Sequence, residues 1–128
     1  MYAENKKMSE CADTCLECFT VCTQTIPQCL EKGGKHAEAK HIALLQLCAD
    51  VCKLSASAML SGVKQYSYIC DACAKICNEC ADECESIGGD FMKACAEACR
   101  KCAASCGDMS QAKDSKKYSK SEQPTMQS

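Results

Sequence analysis

Cysteine fills sixteen of the 128 positions, and its thiolate is both a nucleophile and a ligand for soft metals. Twelve of the sixteen fall into three copies of one spacing, CxxxCxxCxxxC. The copies are Cys11, Cys15, Cys18 and Cys22; Cys73, Cys77, Cys80 and Cys84; and Cys95, Cys99, Cys102 and Cys106. A fourth stretch carries Cys48, Cys52, Ser55 and Met59 at the same spacing, while Cys29 and Cys70 keep phase with their neighbours. Steps of four, three and four place side chains on the inward a and d positions of a helical heptad. The sequence therefore points to helices whose buried stripe is made of sulfur, and the chemistry open to such a stripe is disulfide formation, redox exchange or metal ligation.

The elements that position the stripe are separated by glycine. Gly33-Gly34, Ser61-Gly62 and Gly88-Gly89 divide the chain into four stretches of helical length, roughly residues 8–32, 35–60, 64–87 and 90–106. Four helices with three short connections predict an all-α fold, an antiparallel four-helix bundle with a cysteine-lined core. Pro27 is expected to kink or end the first helix, because it cannot donate to Thr23. Asp90 is placed as an N-cap, and Gly107 as a helix stop. Residues 1–109 then form the bundle, and residues 110–128, rich in Ser, Lys and Gln, form a disordered polar tail. Asp13, Glu17, Asp71, Lys75, Glu79, Asp82, Glu83, Glu97, Arg100 and Lys101 lie between the cysteines and read as solvated faces.

Composition supports this arrangement. Leu, Ile, Val and Phe make up only seventeen residues, 13 % of the chain, too few for an ordinary core. Disorder by composition also requires a large net charge, and the chain carries only −2. The cysteines must therefore belong to the fold. Near-neutrality speaks against a phosphate-binding or membrane-surface patch, so neither nucleic acid nor membrane is an expected partner. The polar opening stretch has no apolar core of an export signal, and no run approaches the ~20 apolar residues of a membrane span. These features predict a cytoplasmic protein. No Ser/His/Asp set or carboxylate pair suggests catalysis.

Inert packing by thiols is a poor account of the stripe, because alanine, valine or leucine would fill the same positions without the risk of oxidation. A disulfide-stapled helical domain is a second account. Pairs at i, i+4 lie near the ~6 Å Cα separation that a bridge allows, but the loops they close are small and the cytosol is reducing. Metal is the third. Four tetrahedral Zn²⁺ thiolate sites would leave a charge of about −8 in the core, which is prohibitive, and with only Cys48 and Cys52 on the second helix, four thiolates are not expected to converge at one level. Cu(I) is soft and monovalent, and one ion replacing one thiol proton leaves the core neutral. Two-coordinate Cu(I) needs only two sulfurs about 4–4.5 Å apart, within reach of an i, i+4 pair. Each CxxxC can act as a clip, for about one ion per cysteine. A low-stoichiometry zinc or copper buffer or chaperone remains the alternative. The CxxxCxxC spacing also occurs in an iron–sulfur motif of radical enzymes, but here it recurs at helical period, and the CxxC pairs lack the βαβ surroundings of redox motifs.

A four-helix chain with CxxxCxxCxxxC on three helices, further thiols on the fourth and methionines in phase at the ends resembles the bacterial copper storage proteins. The resemblance spans residues 8–109. It implies storage of multiple Cu(I) ions, mainly as Cys-Cu-Cys units, by Cys11, Cys15, Cys18, Cys22, Cys29, Cys48, Cys52, Cys70, Cys73, Cys77, Cys80, Cys84, Cys95, Cys99, Cys102 and Cys106. It also implies a homo-oligomer, commonly a tetramer. The family includes exported and cytosolic members, and this chain is similar to the cytosolic type. It names no copper donor or acceptor. Ser55 and Met59 depart from the pattern, standing where cysteines would complete the second helix.

Two further features bear on function. Leu44, Leu47, Val51, Leu54 and Ala58 form a second apolar stripe on the second helix, either a wider core face or a subunit interface. Met8, Met59 and Met109 share one end of an antiparallel bundle with Tyr66, each in phase with a cysteine. Their thioethers can pass Cu(I) inward or simply fill space. Cys29, Met92, His36 and His41 share the other end, where the histidines read as surface residues.

Overall fold

The computed structural model describes residues 2–121, with side chains described for residues 6–110. Its elements are α1 (Tyr2–Lys32), a 3₁₀ turn (Gly34–Ala37), α2 (Ala39–Ser61), α3 (Tyr66–Ile87) and α4 (Asp90–Ser121). No strand occurs among the described residues. Each helix packs on its neighbours in sequence, and α4 returns against α1 to close a square. The antiparallel four-helix bundle expected from the heptad stripe is the fold of the protein.

The stripe forms the core. All sixteen cysteines are buried, none more than 3 % exposed. Between them lie the small residues Ala12, Ala49, Ala56, Ala81, Ala96 and Ala103, with Leu45 and Met92 as the largest fully buried apolar side chains. Ser55 and Met59 complete the buried face of α2, as their phase requires. The charged residues between the cysteines stay at the surface or half-buried. Arg100 on α4 reaches Asp82 (2.6 Å), Glu85 (3.0 Å) and Asn78 Oδ1 (3.1 Å) on α3, and Lys101 reaches Glu17 on α1 (3.4 Å). Exposed pairs of this kind are screened by solvent and add little stability, so their role lies in helix register.

Glycine turns the chain between helices. Gly62 follows α2 at φ 77°, and its N–H donates to the carbonyls of Ala58 (3.1 Å) and Met59 (3.2 Å), a left-handed C-terminal cap that a side chain would strain.

Several boundaries differ from the expectation. Pro27 lies inside α1, which runs on to Lys32. An interior proline costs about 3 kcal/mol, but Cys22 and Cys29 are buried on both sides of it, and that packing holds the last turn in the helix. The second stretch begins with the separate 3₁₀ turn, and α2 starts at Ala39. Gly89 provides the carbonyl that accepts from Lys93 N–H (3.0 Å), so Asp90 sits in the first turn of α4, where its charge suits the helix dipole, and is not the cap. Gly107 does not stop α4, which continues to Ser121. One glycine costs only about 1 kcal/mol in a helix, and the Ala, Lys and Gln beyond it are good helix formers. Residues 122–128 of the expected tail lie outside the described residues.

One helix, α2, is long and apolar enough by length and composition to cross a membrane, where no such stretch was expected. Half of its most apolar stretch is buried inside the bundle, which makes it a core helix whose outer face is also apolar. On that outer face Leu47 and Leu54 are 49 % and 53 % exposed, while Leu44 and Val51 pack partly against the core.

Candidate metal centre

The four stripes meet along the bundle axis, and their sulfurs touch across helices more often than along them. Within a helix, Cys18 and Cys22 approach to 4.0 Å and Cys73 and Cys77 to 3.8 Å. Between helices, Cys15 lies 3.3 Å from Cys106, Cys52 lies 3.6 Å from Cys77, and Cys48 lies 3.6 Å from Cys77. Cys102 lies 3.7 Å from both Cys52 and Cys15. The CxxxC clip within one helix is thus only one of the available pairings, and the interhelical pairs are equally close.

Four sets of four sulfurs lie within 4.8 Å of one another. Ordered along the axis, they are Cys15, Cys73, Cys102 and Cys106; Cys52, Cys73, Cys77 and Cys102; Cys18, Cys48, Cys52 and Cys77; and Cys18, Cys22, Cys48 and Cys99. The expectation that four thiols would not converge is therefore corrected. Three of the groups use Cys48 or Cys52 of α2, which meet sulfurs on α1, α3 and α4, and the remaining group draws on α1, α3 and α4 alone.

Each set shares two sulfurs with the next: Cys73 and Cys102, then Cys52 and Cys77, then Cys18 and Cys48. The result is a ladder of four-sulfur groups joined by common edges. Because neighbouring groups share ligands, no more than two of the four can be filled at once as closed tetrahedral sites of the zinc type. Ions that need only two sulfurs each, and thiolates that bridge two ions, use the whole ladder.

Protons on these sulfurs are shared unevenly. Cys102 is lowered to about 7, chiefly by its neighbour Cys106 and then by Cys15. Cys18 is lowered, mostly by Cys102 and next by Cys22, whereas Cys22 is raised, first by Cys18. Cys29, away from the ladder, is pushed up to about 11, mainly by burial. A thiolate in this core is tolerated where neighbouring thiols donate to it, and a monovalent cation can replace a proton without adding net charge.

At the end shared by the starts of α1 and α3, Met59 and Tyr66 are buried, while Met8 and Met109 are half-buried against the sulfur core. At the other end the histidines depart from the expectation. His36 Nε2 is 3.1 Å from the Gly88 carbonyl, and its ring packs on Phe91 at 5.5 Å. His41 is only 1 % exposed. Its Nε2 is 3.4 Å from Cys29 Sγ and its Nδ1 3.4 Å from Glu83 Oε1. His41 is the residue that sequence reasoning missed, although it stands seven residues before Cys48 and so in phase with the stripe.

Residues 4–111 match the family described as copper storage protein. A cysteine-rich protein of Bacillus subtilis strain 168, of uncharacterised function, is 36 % identical over 74 residues, which cover 58 % of this chain and 68 % of that one. Among solved structures, a protein of Nitrosospira multiformis superposes with a TM-score of 0.79 at 39 % identity, over 84 % of this chain and 97 % of its own. A Cu(I)-bound copper storage protein superposes at 0.75 with 36 % identity, over 80 % and 98 %. The apo form of copper storage protein 3 from Bacillus subtilis gives 0.72 at 36 %, over 79 % and 96 %.

The sulfurs stand as free thiols, and their burial has a direct readout. Without reductant, a thiol reagent should titrate close to sixteen cysteines in denaturant and label the native protein only slowly. A denatured count near zero would replace the free-thiol core with a disulfide-stapled domain.

Proposed function

The chain belongs to the copper storage protein family, and on that premise we propose that it stores Cu(I) at about one ion per cysteine, mainly as Cys-Cu-Cys units. The observation that carries this reading is the edge-sharing ladder of buried sulfurs. A soft monovalent ion accepts two thiolates, tolerates bridging, and exchanges for a proton, so successive ions can fill the ladder while the core stays neutral. Divalent ions in closed sites would use at most two of the four groups and leave net negative charge behind. Storage calls for many equivalent, dry, reversible sites and no catalytic group, and we assign none.

Uptake is assigned a path at the methionine end. Met8 and Met109, half-buried, pack against the sulfur core, three residues before Cys11 and three after Cys106, and Cys106 touches Cys11 and Cys15. Thioethers bind Cu(I) without competing protons, so an ion can be held there before a thiolate takes it. We assign this end as the mouth and Met8, Met59 and Met109 as relay ligands.

The outer face of α2 supports a homo-oligomer, with four copies as the assembly that the family resemblance implies. Leu47 and Leu54 are apolar and half-exposed on one side of a single helix, and such a stripe is stabilised by covering it.

Three measurements test the reading. Titration of the reduced protein with Cu(I) against a competing chelator should saturate near sixteen ions per chain; saturation at one to four ions would leave a low-stoichiometry buffer or chaperone instead. Light scattering of the apo protein at micromolar concentration should report an oligomer, and Leu47→Glu with Leu54→Glu should dissociate it; an apo monomer refutes the interface. Replacing Met8, Met59 and Met109 together by Leu conserves packing volume and should slow copper uptake and chelator-driven removal severalfold, with capacity lowered by at most a few ions. Native rates in that variant would make the methionines packing residues.

A further inference from the structure

We propose that Cys29 and His41 form a mixed thiolate–imidazole Cu(I) site at the end of the bundle opposite the methionines, with Glu83 orienting the imidazole. This inference rests on the storage reading and adds to it a site of a different kind from the ladder.

Three helices build it. Cys29 comes from the last turn of α1, His41 from the first turn of α2 and Glu83 from the end of α3. Cys29 is fully buried and His41 nearly so. Cys29 belongs to none of the four-sulfur groups, and its close partner is the imidazole Nε2, 3.4 Å away. A buried thiolate that is to hold Cu(I) needs one more donor, and here a nitrogen takes the place that a second sulfur has elsewhere in the core. Imidazole is an accepted ligand for copper.

Glu83 accounts for the orientation of the ring. Its Oε1 lies 3.4 Å from Nδ1, so Nδ1 donates its proton to the carboxylate and Nε2 presents a lone pair to Cys29. A carboxylate behind a ligating histidine fixes the tautomer and strengthens the donor. Glu83 is half-exposed, 34 % by its side chain, so its charge remains partly solvated while it reaches the buried ring.

Charge and coordination number select the ion. Cu⁺ with one thiolate and one neutral imidazole sums to zero, so this site fills without taking a thiolate from the ladder and without burying net charge. Only two donors converge, since Glu83 is engaged on the far side of the ring. Zn²⁺ would lack two ligands, whereas a two-coordinate ion would not.

The test uses the reduced full-length protein and Cu(I) alone. His41→Phe and Cys29→Ser should each lower saturation by one ion relative to the wild type, and the double variant by one rather than two, because the two residues share one site. His41→Cys should restore the wild-type count, which also guards against a packing defect in His41→Phe. Glu83→Gln should keep the count but weaken one ion by about tenfold or more against the chelator, the usual effect of losing an outer carboxylate. In the wild type, the ¹⁵Nε2 resonance of His41 should shift on full loading, while that of His36 should not. An unchanged count in His41→Phe, or a His41 resonance unmoved by copper, overturns the proposal and leaves the pair as a hydrogen bond that seals the bundle. A wild type that binds only a few ions would instead overturn the storage reading itself.

Discussion

A charged sulfur in a dry helical core is stable only when something nearby offsets its charge, and the remainder of the molecule follows from that requirement. Burial raises a thiol's pKa, as at Cys29, while an S–H bond from a neighbour lowers it, as at Cys102. Sulfurs packed 3.3–4.0 Å apart can therefore share protons and give them up as cations arrive. A cation that replaces protons one for one preserves neutrality, and this favours a monovalent guest over a divalent one on electrostatic grounds alone.

The same requirement explains the plain character of the scaffold. Cysteine and alanine are small, so the helices can approach closely enough for sulfurs on different helices to touch. The chain has few large aliphatics to spare, and it places Leu45 and Met92 toward the histidine end, where the sulfur ladder gives way to ordinary packing. Ion pairs such as those of Arg100 with Asp82 and Glu85 hold neighbouring helices in register at the surface. Stripes that slipped by a turn would no longer pair the same sulfurs.

The two ends of the bundle differ in chemistry, and on the proposed reading they differ in role. Methionines at one end offer soft donors that carry no proton. At the other end His41 is held between a thiol and a carboxylate, and His36 ties the first interhelical turn to the Gly88 carbonyl.

Much of this was legible in the chain itself. Steps of four, three and four put all sixteen cysteines inward, because a helix has only one face at that period, and glycines marked the turns because they take the left-handed backbone there without steric cost. Local signals misled where packing outweighed them: Pro27 remained helical between buried cysteines, and Gly107 was carried through by the residues around it. Helical period fixes the direction in which a side chain points along its own helix, but not which side chain of another helix it meets. The pairing of sulfurs into a shared-edge ladder depends on the relative height and rotation of four helices, a property of the assembled bundle. His41 shows the same division. Its phase was visible beside Cys48, yet its partners Cys29 and Glu83 lie 12 and 42 residues away, and only the folded chain brings the three together.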